Sequence, residues 1–209
     1  MELASVDHIL TTTRSVRKRL DLARPVEPRV IRECVEIALQ APNGGNLGRY
    51  HFVVVVDAAK RRRIAELYRK ACDEFLAPAR TVYPPGVFES ATYLAEHLHE
   101  VPVHVIACMD GRVEDKGVFR QATRYGSILP AAWSLMLALR ARGLGSAWTT
   151  LHLMYEQDVA ALLGIPADVT QTALLPVAYF TGDDFKPAQR VPGRDGTYWD
   201  TWGRTGGPS

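Results

Sequence analysis

Apolar residues recur at helical spacing from 28 to 41, where Val30, Ile31, Cys34, Val35, Ala38 and Ala41 share one face. Pro28 stands near the start of that helix, a position where a missing N–H costs nothing. The next signal changes period: Phe52 to Val56 is an unbroken apolar run, too apolar for a half-exposed strand, and so is expected inside a sheet. A charged helix is predicted from 58 to 76. A second buried strand follows from Val101 to Met109, with Pro102 at its entry, where a lost donor is tolerated. Residues 119 to 142 read as one long helix through Ile128, Leu129, Ala132, Leu135, Met136 and Leu139. Pro130 lies inside it and is expected to kink the axis or mark a new helix start. Gly143-Leu144-Gly145 ends it. A short strand from Ser146 to Thr150, a helix from Tyr155 to Leu163 and a last strand from Thr172 to Phe180 complete the core. The order is not a strand-helix alternation from a dinucleotide-binding start, and no Gly-x-Gly-x-x-Gly opens the first strand. An α+β fold with a central mixed sheet flanked by helices is expected, as one domain over residues 1–209.

Two stretches fall outside this pattern. Residues 77 to 92 carry Pro78, Pro84, Pro85 and Gly86 beside Tyr83, Phe88 and Tyr93, and read as an irregular segment whose aromatics serve either local packing or a functional role. From 182 to 209 the chain is rich in Gly, Pro, Arg and Asp, yet holds Phe185, Tyr198, Trp199 and Trp202. Aromatics in such a tail have no core of their own, so they dock on the parent domain or, as is expected here, on a partner. A length of 209 residues with 47% hydrophobic and 23% charged residues suits a globular protein. The net charge of +2 argues against nucleic acid or an acidic membrane surface as a partner. No run reaches the ~18 apolar residues of a spanning helix, and the first residues form no signal-peptide pattern, so a cytoplasmic location is expected. Cys34, Cys72 and Cys108 are isolated in apolar patterns and suit reduced, buried thiols. His97 and His99 point to different helix faces, and with His104 they lack the spacing of a metal site.

The chemistry concentrates in Thr13-Arg14-Ser15-Val16-Arg17-Lys18 and in Ala41-Pro42-Asn43-Gly44-Gly45-Asn46. The first gathers cations, a hydroxyl and backbone donors just before a predicted helix, a setting suited to a phosphate monoester. The second is a loop in which Gly45 and its neighbours can take positive φ and approach a flat ligand closely. Together they suggest a phosphorylated, planar cofactor. Further along come Ser127-Ile128-Leu129-Pro130-Ala131-Ala132, then Leu137 to Ser146, Gly164-Ile165-Pro166, Ala173-Leu174-Leu175-Pro176-Val177-Ala178-Tyr179, and Arg190 in a basic segment.

In this order, from about Leu10 to Arg190, the chain resembles the FMN-dependent nitroreductase family, whose members often open with Arg-Arg-Ser-x-Arg and continue with Ala-Pro-Ser-x-x-Asn-x-Gln-Pro-Trp. The resemblance implies an intertwined homodimer with FMN at the subunit interface and no catalytic acid, base or nucleophile, since the flavin carries the reaction. It implies hydride transfer from NADH or NADPH through flavin N5 to a small acceptor such as a nitroaromatic or a quinone. Arg14, Ser15 and Arg190 are the phosphate candidates it suggests. Arg17 falls near the pyrimidine edge, Asn46 of the partner subunit at the ring's amide-like edge, and Thr149 or Thr150 near N5. Asn43, Gly45 and Pro130 join them as cofactor contacts, and residues 77 to 92 fall where the family has the segment that covers the site. Thr13 stands where the family has its first arginine, and Gly48-Arg49-Tyr50 replaces Gln-Pro-Trp. Arg49 faces an anionic substrate, the 2′-phosphate of NADPH, or solvent. A flavin enzyme of the same fold with other chemistry, a reductive dehalogenase or dehydrogenase, is the alternative. A non-catalytic module using Arg14 to Arg19 to bind nucleic acid is the distant one.

Overall fold

The computed structural model describes residues 2–207 and divides into two units. A terminal unit combines the residues up to Thr12 with those from Asp184 onward. It contains helix α1 (Leu3–Thr12), which the sequence pattern did not signal, and an extended C-terminal stretch in which the Tyr198 and Trp202 rings lie 4.7 Å apart. Trp202 is 87% exposed, whereas Phe185 is half-buried.

The larger unit, Thr13–Asp183, carries the sheet. Its elements are α2 (Pro28–Ala38), β1 (Tyr50–Val55), α3 (Ala58–Ala71), α4 (Pro85–His97), β2 (Val103–Asp110), α5 (Val118–Arg140), β3 (Leu144–Ser146), α6 (Glu156–Leu163) and β4 (Val169–Tyr179). The four strands pair in the order β1-β2-β4-β3, every neighbouring pair antiparallel. The parallel contribution expected of a mixed sheet is a single bridge between Ser15 and Ser146. Alternation on β2 and β4 sends Val103, Val105, Ala107, Leu175 and Val177 into the face covered by α2 and α5, where Cys34, Ile128, Leu135 and Leu139 are fully buried. Each such valine, leucine or isoleucine stabilises the fold by about 1.5–3 kcal/mol of burial.

Local chemistry sets the boundaries. Asp57 caps α3 by accepting a 2.8 Å hydrogen bond from the Lys60 N–H. The helix expected over 58 to 76 ends at Ala71 and passes into a π turn, Cys72–Leu76. The helix expected from 28 to 41 ends at Ala38, although Ala41 is still buried. Residues 77 to 92 are not irregular throughout, because Pro85 at the first helical position starts α4 and only the turns before it lack regular structure. α5 runs through Pro130 as one 23-residue element, so Pro130 begins no new helix. The strand expected from Ser146 to Thr150 is Leu144–Ser146, continued by an isolated bridge between Thr149 and Leu174.

One expectation is overturned. The Phe52–Val56 run was placed inside a sheet, yet β1 is an edge strand, with Val54 40% and Val56 57% exposed. These valines border an apolar groove with Val26, Ile31 and Val35. Of the run only Val55 is buried, while Phe52 and Val53 are half-buried, since no further strand of the larger unit shields the edge.

The opposite face of the sheet holds two histidines without exposure, His104 on β2 and His152 in the turn after β3. His104 Nε2–H donates to the Leu98 carbonyl at 2.9 Å, while neither ring nitrogen of His152 has a partner among the described residues. Burial pushes His104 down to about 4 and His152 down to about 3, the latter also disfavoured by His104. Both are neutral when folded, so the unfolded chain binds more protons below its ordinary histidine pKa of about 6.5. Stability is therefore expected to be complete above pH 6.5 and to fall as pH drops from there toward 4 and 3. Thermal melting across this window checks it, and His152→Leu should flatten the slope.

Candidate functional site

The cationic segment after α1 does not open a helix as the sequence suggested. It lies extended along β3, with the Val16 N–H donating to the Ser146 carbonyl at 2.9 Å and the Ser15–Ser146 bridge beside it. Gly145 makes this possible, since a Cβ there would stand 2.9 Å from Val16 Cβ and Cγ1. Val16 is buried, which turns Ser15 outward and leaves Arg14 and Arg17 half-buried. The Arg14 guanidinium donates to the Thr13 carbonyl at 2.6 Å.

Arg17 reaches into a cleft of about 200 Å³ lined by Tyr68 of α3, Phe88 and Ala91 of α4, Phe75, Trp148 and Thr150. Its guanidinium donates to Ser90 Oγ at 3.2 Å, and no carboxylate pairs with it among the described residues. Burial pushes its pKa below the usual arginine value, as expected of a cation partly removed from water without a counter-charge. Tyr68, buried beside it, is pushed up to about 12 by desolvation, against the pull of Thr149 and Arg17.

Thr149 and Thr150 both line this cleft but are not equivalent. The Thr149 N–H donates to the Leu174 carbonyl at 3.1 Å, its carbonyl accepts from the Leu174 N–H at 2.9 Å, and its hydroxyl donates to the same Leu174 carbonyl at 2.7 Å. Its polar groups are committed to the sheet. Thr150 is exposed, and its N–H and hydroxyl have no partner among the described residues.

The Asn43–Asn46 loop lines a second cleft, which shares no residue with the first. The Gly44 N–H donates to Ser127 Oγ of α5 at 2.9 Å, and a Cβ on Gly44 would come within 3.1 Å of Thr123 Cγ2. Asn43 and Gly44 line this cleft, and Asn43 Oδ1 accepts from the Gly48 N–H at 3.0 Å. Gly45 and Asn46 have φ of 64° and 53°, as the loop's composition implied, but line neither cleft. Pro130 is half-buried on α5 and also lines neither. Arg190 belongs to the terminal unit, where it is exposed.

Sequence reasoning missed Tyr68 and Ser90. Both sit in helices whose pattern reads as packing, and only the fold turns them toward Arg17. The aromatic and proline-rich character of 77 to 92 was the available signal for Phe88.

The model of the nitroreductase family matches residues 10–179. The chain belongs to the nitroreductase family. Members of this family are flavin-dependent oxidoreductases. The chain is similar to 5,6-dimethylbenzimidazole synthase of Rhodospirillum rubrum, 30% identical over 160 residues that span 74% of this chain and 73% of that protein. NADH dehydrogenase of Thermus thermophilus is 27% identical over 190 residues, 86% of this chain and 88% of its own. The structure of iodotyrosine deiodinase bound to FMN and 3-iodo-L-tyrosine superposes with a TM-score of 0.65 at 21% identity, covering 88% of this chain and 92% of the other, which shows the shared nitroreductase fold. No helix among the described residues is long and apolar enough to cross a membrane.

Proposed function

We propose that the chain is an FMN-dependent oxidoreductase that takes reducing equivalents from NADH or NADPH and delivers them to a small aromatic acceptor. The observation that carries this reading is Arg17, a desolvated cation without a carboxylate partner on the wall of an aromatic cleft. The donor set fits FMN: cations and a hydroxyl at Arg14 and Ser15, a flat wall from Tyr68, Phe88 and Trp148, and unspent polar groups on Thr150. When bound, FMN supplies hydride chemistry between the nicotinamide and the acceptor.

The residues of the chain bind and bias. Arg14 and Ser15 would hold the phosphate by charge-assisted hydrogen bonds. Arg17 would stabilise negative charge that accumulates next to it on reduction, an effect enhanced by its removal from water. Thr150, rather than Thr149, would offer the free donor. The wall contributed by residues 75 to 91 consists of Phe75, Leu76, Tyr83, Val87, Phe88 and Ala91. It holds no charged side chain, which supports a nitroaromatic or quinone over a zwitterionic amino-acid acceptor and its dehalogenation.

A homodimer belongs to the same proposal. The first cleft is smaller than the 300–1,000 Å³ of an enclosed ligand site, and the Asn43 loop opens on a different cleft. One flavin touching both needs the second from a partner copy. The exposed valines of β1 and the unburied Trp199 and Trp202 support such a partner. Freshly purified protein is expected to be yellow, with about one FMN per chain, and to run as a dimer in light scattering. Colourless protein that takes up no added FMN would refute the reading, and a flavin-loaded monomer would refute the dimer alone.

A further inference from the structure

The second cleft, about 340 Å³ in volume, carries a cluster of cations to which the flavin reading assigns no role. Five cations border it: Arg49, Arg112, Lys116, Arg120 and Arg124. Arg112 is neutralised, since its guanidinium binds both carboxylate oxygens of Glu156 at 2.8 and 2.7 Å and also pairs with Glu114. Lys116 pairs with Asp115 at 2.9 Å. Arg49, Arg120 and Arg124 have no ion pair among the described residues. Three uncompensated guanidinium groups around one concavity cost electrostatic energy, which a multi-anionic ligand relieves. The hydroxyl-bearing residues Thr123 and Ser127 line the same wall. α5 begins at the rim with no side chain capping its first turn, so its N terminus adds to the positive potential. Phe119, 82% exposed, and Leu47, 60% exposed, supply apolar surface beside the charges.

A planar, delocalised guanidinium suits phosphate better than a point charge does, because it can donate two parallel hydrogen bonds. We propose that this cleft binds a phosphate monoester carried on an aromatic body. Its source is either the reductant, through the 2′-phosphate of NADPH, or a phosphorylated acceptor. The choice between these sources rests on the oxidoreductase reading, but the binding does not.

The probe is adenosine 2′,5′-bisphosphate, titrated calorimetrically into the protein as purified, with adenosine as the uncharged comparator. The bisphosphate is expected to bind at least tenfold more tightly than adenosine and to weaken severalfold between low and physiological salt. The R120Q/R124Q double variant should lose more than tenfold in affinity, and R49Q alone should lose less, with melting temperature and flavin absorbance per chain unchanged. Equal affinity for adenosine, or undiminished binding by the double variant, overturns the proposal. Loss of flavin from the double variant overturns it too, by assigning the cleft to the flavin's own phosphate. A kcat/KM preference for NADPH over NADH that collapses in the double variant identifies the reductant as the source. Equal use of both, with the bisphosphate competing against the acceptor, identifies the acceptor. Colourless protein that still binds the bisphosphate through these arginines sinks the oxidoreductase reading and leaves the cleft intact. Yellow protein that does not bind it does the reverse.

Discussion

Arg17→Ala is expected to leave oxidised FMN bound but to lower its midpoint potential and slow its reduction by NAD(P)H. The guanidinium sits in the aromatic cleft with Ser90 Oγ as its hydrogen-bond partner and no carboxylate, so its field is not cancelled locally. A hydrogen bond to a charged group is worth about 1.5–3 kcal/mol. If that is gained mainly in the reduced state, the two-electron potential should fall by about 30–60 mV. The reduction rate should fall by about one to two orders of magnitude, at ~1.4 kcal/mol per tenfold. Arg17→Lys keeps the charge but not the planar fork, and should fall between the two. Stopped-flow bleaching of the flavin and a redox titration measure both quantities. A mutant with unchanged potential and rate would mean that Arg17 serves packing alone.

Gly145→Val is expected to damage both fold and site, for a reason that is steric rather than electrostatic. A single Cβ at position 145 would already meet Val16 Cβ and Cγ1 at 2.9 Å and Cγ2 at 3.0 Å. Val16 cannot swing aside cheaply, because its N–H is tied to the Ser146 carbonyl and its side chain is buried. Overpacking of this kind costs about 1–3 kcal/mol. The strain falls on the segment that carries Arg14, Ser15 and Arg17, so flavin retention should drop along with the melting temperature. Gly145→Ala paired with Val16→Ala removes two of the three close atoms and should recover part of both. A Gly145→Val protein with wild-type melting and full flavin content would show that β3 and the cationic segment separate easily.

The sequence by itself determined the elements whose burial is complete and local. β2 and β4 are continuous apolar runs and α5 carries a helical period, and the solvent-excluded positions Val105, Ile106, Leu174, Leu175, Leu135 and Leu139 follow directly from them. It also singled out two candidate stretches, of which Arg17 lines one cleft of the larger unit and Asn43 another, while Arg14 and Ser15 line neither. The positive φ values of Gly45 and Asn46 were legible in the loop's composition alone.

Only the tertiary structure decided who faces whom. A run such as Phe52 to Val56 states a demand for burial but not what meets it, and the strand order leaves it at an edge with two valines uncovered. Thr149 and Thr150 are chemically alike, yet pairing with Leu174 consumes the polar groups of one and frees those of the other. Arg17 and Tyr68 are 51 positions apart and meet because α3 packs beside the cationic segment. Arg49 and Arg124 likewise share a cleft only because the Gly44 loop is held against α5 by a hydrogen bond to Ser127. Periodicity records how each residue relates to its own element, whereas a site is made of side chains from several elements, and their distances exist only after packing.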